Sequence, residues 1–145
     1  MKLEFVLQTK GEGVETILPS TPVTTLIEQL TDMKIGAMVV SSDGKTVEGI
    51  VSERDVVKHI RRDGTGILDG PVSKIMTPTV QCAPLNASTA DMMDLMTHSR
   101  IRHVPVLDED DMMVGIVSIG DVVKTHLAEL EDERDALVQY VTVGG

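Results

Sequence analysis

Hydrophobic and polar positions in the first half of the chain follow a pattern of strands and helices. Apolar residues recur at helical spacing over 23–30 and again over 56–60. Between these segments, apolar runs at 35–40 and 47–51 flank a polar turn and favour two strands. With an extended segment over 14–18, the pattern predicts the order β-α-β-β-α.

The second half shows the same pattern. An extended segment over 79–83 precedes a methionine-rich helical segment from Ser88, and strands are predicted over 101–107 and 113–117 before a helix from Ile119. At the N-terminus, the sequence predicts a short strand over Leu3–Leu7 and a turn over 11–13. The pattern as a whole predicts an α+β fold that uses one β-α-β-β-α unit twice.

A direct repeat supports this duplication. The segment GIVSERDVVK, Gly49–Lys58, recurs 66 residues later as GIVSIGDVVK, Gly115–Lys124, with eight of ten positions identical. A fixed period of this kind indicates two copies of one supersecondary unit.

Each repeated segment predicts a strand that turns into a helix. Ser52 stands where a helix N-cap is expected and Asp55 stands at the N3 position, and Ser118 and Asp121 repeat this arrangement. A helix N-terminus presents unpaired N–H groups and a partial positive charge, so it attracts anions. The aspartates are therefore either capping residues alone or capping residues that also serve a ligand.

The repeated G-h-h-S-x-x-D pattern (h, hydrophobic), together with VSKIMTP (Val72–Pro78) and RHVPVLDED (Arg102–Asp110), resembles the CBS domain, a nucleotide-sensing module that occurs in tandem pairs. The resemblance covers roughly residues 14–127. It implies two pseudo-symmetric β-α-β-β-α CBS repeats packed through their small sheets, and a homodimer of four repeats. The expected division is an N-terminal segment 1–13, repeat one 14–63, a linker 64–75, repeat two 76–127 and a C-terminal helical extension 128–145.

The resemblance also implies two adenine-nucleotide sites, because in this family the adenine slot comes from one repeat and the ribose-binding aspartate from the other. A carboxylate at a helix start is suited to accept two hydrogen bonds from a ribose diol. One expected site combines residues of the first repeat with Ser118 and Asp121: Thr16, Ile17, Ile35, Gly36, Ala37 and Met38. The other combines residues of the second repeat with Ser52, Arg54 and Asp55: Cys82, Ala83, Arg102, His103, Val104 and Pro105.

The two expected sites differ in charge. Arg54 corresponds to Gly120, and the pair Arg102-His103 corresponds to Gly36-Ala37. Because a cation in the first turn of a helix opposes the helix dipole, Arg54 is easier to explain if it meets a phosphate. The alternative is that the arginines pair with carboxylates of this acidic protein.

Methionine is frequent in a chain with 1% aromatic residues, and it is expected to fill the core. Ligand contact is the alternative for Met38 and Met76. The C-terminal helix carries an apolar stripe that includes Leu130, Leu137 and Val141. This stripe either packs against a partner copy or folds back on its own core.

Composition excludes several other classes of protein. With 145 residues and a net charge of −10, the chain lacks the basic stripe that nucleic acid requires. One cysteine, Cys82, fits a reducing compartment, and no apolar run approaches the ~18 residues of a membrane helix. We therefore expect a cytoplasmic protein without membrane contact.

Catalysis is not expected. The sequence places no base beside Ser52 or Ser118, and His98 and His103 lack the spacing of metal ligands. The favoured interpretation is a regulatory module that binds AMP, ADP, ATP or NAD(H), uses no catalytic cofactor and signals to an unknown partner protein. One alternative is a structural dimerisation module with vestigial sites, and another is an enzyme that acts on nucleotides.

Overall fold

The computed structural model describes residues 1–11 and 13–144, so part of the turn predicted over 11–13 lies outside the described residues. Two short 3-10 turns, Thr65–Asp69 and Val72–Lys74, connect the two halves. The elements are, in order, α1 (Leu3–Lys10), β1 (Thr16–Ile17), α2 (Val23–Met33), β2 (Ala37–Val40), β3 (Gly49–Ser52), α3 (Glu53–Asp63), β4 (Ala83–Pro84), α4 (Thr89–Ser99), β5 (His103–Leu107), β6 (Met113–Ser118) and α5 (Ile119–Gly144).

The strands form two three-stranded sheets, β1-β2-β3 and β4-β5-β6. In each sheet the first strand runs parallel to the second, and the second runs antiparallel to the third. Ile17 pairs with Val40, and Ala83 pairs with Val106, so the 66-residue period of the sequence is kept in the register of the sheets. The predicted α+β fold with a duplicated unit is confirmed.

Each repeat packs its own hydrophobic core. The first core surrounds Leu26, Met38 and Val51, and the second surrounds Met92, Val104 and Val117. The methionines Met92 and Met96 are buried where α4 faces its sheet, as expected for a chain that is poor in aromatic residues.

Each core is completed by the segment that precedes the other repeat. Leu3 and Val6 of α1 belong to the second core, while Val72 and Ile75 of the linker belong to the first. Each segment thus packs against the repeat that it does not directly precede, so the two segments are exchanged between the repeats.

The backbone hydrogen bonds of these two segments correspond. Leu3 N donates to Ala87 O at 2.8 Å, and Val72 N donates to Thr21 O at 2.8 Å. The acceptors are 66 residues apart, but the donors are 69 apart. The N-terminal segment and the linker therefore occupy equivalent places, but their residues correspond at an offset of 69, three more than the 66 of the repeats.

The predicted strand over Leu3–Leu7 is wrong, because these residues belong to α1. A strand would place Leu3, Phe5 and Leu7 on one face. Instead Leu3 and Val6 are buried and Leu7 packs against the same core, which is helical spacing, while Phe5 is 51% exposed.

The C-terminal extension continues α5 without a break to Gly144. Its apolar stripe does not fold back on the core: Leu130, Leu137 and Val141 are 46%, 65% and 69% exposed. Near the start of the extension, Glu129 pairs with the N-terminal amine at 2.7 Å and so connects α5 to the beginning of the chain.

Candidate functional site

The predicted capping boxes are present at the starts of α3 and α5. Ser52 N donates to Asp55 Oδ2 at 2.8 Å, and Asp55 N donates to Ser52 Oγ at 3.3 Å. In the second repeat, Ser118 N donates to Asp121 Oδ2 at 2.9 Å, and Asp121 N donates to Ser118 Oγ at 3.1 Å. Both carboxylates are thereby fixed at helix N-termini, where the helix dipole favours a negative charge.

A cleft of about 420 Å³ opens beside the first of these capping boxes. Its lining comes from both repeats and from the segment that connects them. The lining residues are Gly36, Ala37, Ile50, Ser52, Glu53, Arg54, Asp55, Thr77, Thr79, Val80, Gln81, Arg100, Ile101, Arg102 and His103. Three arginines against two carboxylates make the cleft more basic than the acidic chain as a whole.

The segment after the linker forms one wall of this cleft. Ile50 N donates to Thr77 O at 3.0 Å, and Thr77 N donates to Ile50 O at 2.8 Å. Because Thr77 is tied to the outer edge of β3 in this way, the chain continues through Thr79 and Gln81 along the cleft.

The two repeats also approach each other at the cleft. A Cβ added at Gly36 would lie 3.6 Å from His103 Cε1. Glu53 N donates to Gly36 O at 3.1 Å, and Ile119 N donates to Arg102 O at 2.9 Å. The residue that precedes β2 and the residue that precedes β5 thus hold the starts of α3 and α5 in place.

The structure brings together part of the predicted Asp55 site. Five of the predicted residues line the cleft together: Ser52, Arg54, Asp55, Arg102 and His103. The other residues predicted for this site lie elsewhere: Ala83, Val104 and Pro105 are buried in the second repeat, and Cys82 is half-buried and outside the lining. Met76, the further candidate, packs against the first core and contacts the position of Gly49.

The residues predicted for the Asp121 site are divided. Gly36 and Ala37 line the cleft beside Asp55, whereas Ser118 and Asp121 do not. Ile17 and Met38 are buried in the first core with Ile35 packed against them, and Thr16 pairs with Val39 in the sheet.

Several lining residues escaped the sequence analysis. Five of them are polar or follow the linker: Thr77, Thr79, Val80, Gln81 and Arg100. The signal that could have found the first four is the IMTP segment, because Thr77 belongs to it and Thr79, Val80 and Gln81 follow it directly. Ile50, Glu53 and Ile101 complete the set.

The Asp121 carboxylate meets a residue that the sequence analysis did not consider. Lys10 Nζ, at the end of α1, lies 2.7 Å from Asp121 Oδ2 and donates to Ile116 O at 2.8 Å. By contrast, Asp55 has no ion pair within the described part of the chain. The two aspartates are alike in their capping boxes and different in their charged neighbours.

Burial and charge shift three titratable groups near the site. The pKa of His103 lies below its usual value because of burial, with Lys10 and Arg102 adding to the effect against Asp121 and Glu53. Burial raises the pKa of the Cys82 thiol, which makes a poor nucleophile of it. For Asp121, burial favours the protonated form, but the hydrogen bonds from Lys10 and Ser118 outweigh it and lower the pKa.

Residues 1–11 and 13–144 contain neither a metal-binding cluster nor a membrane-spanning helix. No group of three or more His, Cys, Asp or Glu side chains there could hold a metal ion. Among the same residues, no helix has the length and apolar character needed to cross a membrane.

The β-α-β-β-α unit occurs twice, the segments that precede the two units are exchanged, and a polar cleft opens beside the capped start of α3. These features define a tandem-repeat α+β module. The family model for the CBS domain matches residues 11–62 and 72–127. The chain belongs to the CBS domain family.

Relatives of known sequence and structure agree with this assignment. A CBS-domain containing protein of Agrobacterium tumefaciens is 38% identical, with a TM-score of 0.82, over 87% of this chain and 99% of that one. The mitochondrial CBS domain-containing protein CBSX3 of Arabidopsis thaliana is 35% identical over 81% of this chain, which spans 59% of the length of CBSX3. A CBS domain protein of Pyrobaculum aerophilum complexed with AMP is 23% identical, with a TM-score of 0.71, over 83% of this chain and 89% of that one.

Proposed function

We propose that this protein is a regulatory module that binds an adenine nucleotide in the cleft beside Asp55. The observation that carries the proposal is the grouping of Asp55, Arg54 and Arg102 around one opening of about 420 Å³. A carboxylate and two arginines offer partners for the two polar ends of a nucleotide, the ribose diol and the phosphate. The AMP bound to the related protein of Pyrobaculum aerophilum supports this class of ligand.

Asp55 is the residue proposed for the ribose. Its Oδ2 atom accepts hydrogen bonds from Ser52 N at 2.8 Å and Ser52 Oγ at 3.0 Å, and these bonds fix the carboxylate. The second oxygen has no partner of its own recorded in the described residues, so it is available to ribose hydroxyls. A hydrogen bond to a charged group contributes about 1.5–3 kcal/mol.

Arg54 and Arg102 are the residues proposed for the phosphates. Both are exposed at the cleft, and neither forms an ion pair in the part of the chain that the structure describes. The alternative of ion pairs with surface carboxylates therefore has no support here. Guanidinium groups suit phosphate oxygens because their planar fork can donate two hydrogen bonds at once.

The regulatory output is proposed to pass to another protein, with AMP, ADP, ATP and NAD(H) as candidate signals. We also propose a homodimer, because exposed apolar residues such as Val57, Leu127 and Leu137 lie on α3 and α5. The structural dimerisation module with vestigial sites remains the second candidate, since the same exposed helices would serve it.

Isothermal titration calorimetry with AMP, ATP, NADH and S-adenosylmethionine tests the proposal. We expect saturable binding of at least one adenine nucleotide. In the Arg54→Ala, Arg102→Ala double variant, ATP binding should weaken more than adenosine binding, because only ATP uses the phosphate contacts. The matched control is Arg61→Ala, Arg62→Ala, which removes the same charge from α3 outside the cleft.

Two results would contradict the proposed function. If none of the four ligands binds, the dimerisation module becomes the better account. If ATP and adenosine weaken equally in the double variant, or the control variant behaves like it, the two arginines are not phosphate ligands.

A further inference from the structure

We propose that Lys10 holds the second aspartate site closed, so that each chain binds a single adenine nucleotide and Lys10 sets this stoichiometry. The inference rests on the proposed function, because it concerns the same class of ligand. The second aspartate site is the pseudo-symmetric equivalent of the Asp55 cleft, and the Asp121 carboxylate lies there.

Lys10 contacts one carboxylate oxygen of Asp121 and a backbone carbonyl of β6. Its ammonium lies 2.7 Å from Asp121 Oδ2 and donates to Ile116 O at 2.8 Å. The same Oδ2 atom already accepts from Ser118 N at 2.9 Å. Because the ammonium is charged, it donates a stronger hydrogen bond to the carboxylate than a ribose hydroxyl does. A ribose diol therefore cannot displace Lys10 without loss.

The first repeat shows what the site looks like without this lysine. There the carbonyl of Ile50, which corresponds to Ile116, accepts from Thr77 N at 2.8 Å. The chain beyond Thr77 then lines the open cleft through Thr79 and Gln81. In the second repeat α1 stays helical up to Lys10, and the ammonium takes the place of that backbone N–H.

The ion pair at Lys10 lies at the surface, with the Asp121 carboxylate partly shielded from water. The side chains of Lys10 and Asp121 are 38% and 25% exposed, so water screens their attraction only in part. Burial on its own raises the pKa of Asp121, yet the hydrogen bonds from Lys10 and Ser118 bring it below the usual range. The carboxylate is thus charged at neutral pH, and its Oδ2 atom is bound by both Lys10 and Ser118.

The anchoring of α1 keeps Lys10 in place. Leu3 is fully buried in the second core, and a Cβ at Gly115 would lie 2.6 Å from Leu7 Cδ2. Since α1 is packed closely at both of these points, Lys10 is presented to Asp121 by a rigid element.

Calorimetric stoichiometry with AMP tests the inference on the full chain. We expect one AMP per chain for the wild type and two for Lys10→Met, which keeps the aliphatic stem and removes the charge. Lys2→Met, at the other end of α1, is the matched control and should bind one. Two AMP per wild-type chain, or one AMP per chain for both the wild type and Lys10→Met, would overturn the proposal.

The outcomes separate this inference from the proposed function. If AMP binds Lys10→Met but not the wild type, the Asp55 site is refuted and the closure by Lys10 stands. If AMP binds neither protein, both proposals fall.

A second measurement does not depend on a ligand. Carbon-13 NMR of the Asp121 carboxyl group should show a higher pKa in Lys10→Met than in the wild type, with Lys2→Met unchanged. An Asp121 pKa that does not rise in Lys10→Met would overturn the closure, because the lysine would then not engage the carboxylate.

Discussion

At the scale of the residue, His103 shows how burial and nearby charges keep an imidazole neutral at the cleft. It is half-buried at the cleft, and its pKa lies below the usual value because burial, Lys10 and Arg102 outweigh the carboxylates of Asp121 and Glu53. At neutral pH the imidazole is therefore neutral, and it can donate or accept one hydrogen bond at each nitrogen.

The depressed pKa of His103 predicts a dependence of stability on pH. The unfolded chain protonates this histidine near pH 6.5, whereas the folded chain resists protonation. The free energy of unfolding should then fall as the pH decreases below about 6.5, because the unfolded state binds more protons. Urea unfolding at pH 7.5 and 5.5 should show a smaller pH effect in His103→Gln than in the wild type.

The control for this experiment is His98→Gln, which removes an exposed imidazole from α4. An identical pH effect in the wild type and His103→Gln would show that His103 is not held neutral by the fold.

The Ser-x-x-Asp pairs show which parts of the site can be predicted from residue patterns alone. Both capping boxes were predicted and are present, because N-cap and N3 residues interact over three positions of the chain. The grouping of residues around the cleft could be predicted only in part. Gly36 and Ala37 were assigned to Asp121 but lie beside Asp55, since a period in the sequence does not say which faces of the two repeats meet.

At the scale of the element, α1 is the largest departure from the sequence-based prediction. The sequence predicts a strand over Leu3–Leu7, but the second repeat needs a partner for its core, and a helix presents Leu3, Val6 and Leu7 to it together. The core partner lies some 80 residues away in the sequence, so a local pattern could not reveal it.

Leu7 of α1 packs closely over Gly115 of β6. A Cβ there would fall 2.6 Å and 2.7 Å from the two Cδ atoms of Leu7. Gly115→Ala should therefore push α1 away from β6 and lower the free energy of unfolding by about 1–3 kcal/mol, the usual effect of overpacking. Thermal or urea unfolding measures this loss.

The matched control is Gly66→Ala, because a Cβ at Gly66 meets no heavy atom within 4 Å. Adding Leu7→Ala to Gly115→Ala should restore part of the lost stability by relieving the contact. Equal stability of Gly115→Ala and Gly66→Ala would contradict the close packing of α1 on β6.

At the scale of the whole molecule, duplication gives two similar aspartate positions, and the preceding segments make them different. The chain after the linker runs along the cleft at Asp55, while α1 ends in a lysine that pairs with Asp121. The repeat and its fold could be predicted from the 66-residue period. This asymmetry could not, because it depends on residues outside the repeated segment.

The most direct test of the account compares AMP binding to Asp55→Ala and Asp121→Ala by calorimetry. The two variants are matched, since each removes the N3 carboxylate of one capping box, and circular dichroism should first confirm that both are folded. We expect Asp55→Ala to weaken AMP binding by roughly tenfold to a hundredfold, because it removes charged hydrogen bonds to the ribose. Asp121→Ala should leave the affinity unchanged. Unchanged affinity in Asp55→Ala, or a loss confined to Asp121→Ala, would contradict the central claim that the nucleotide binds beside Asp55.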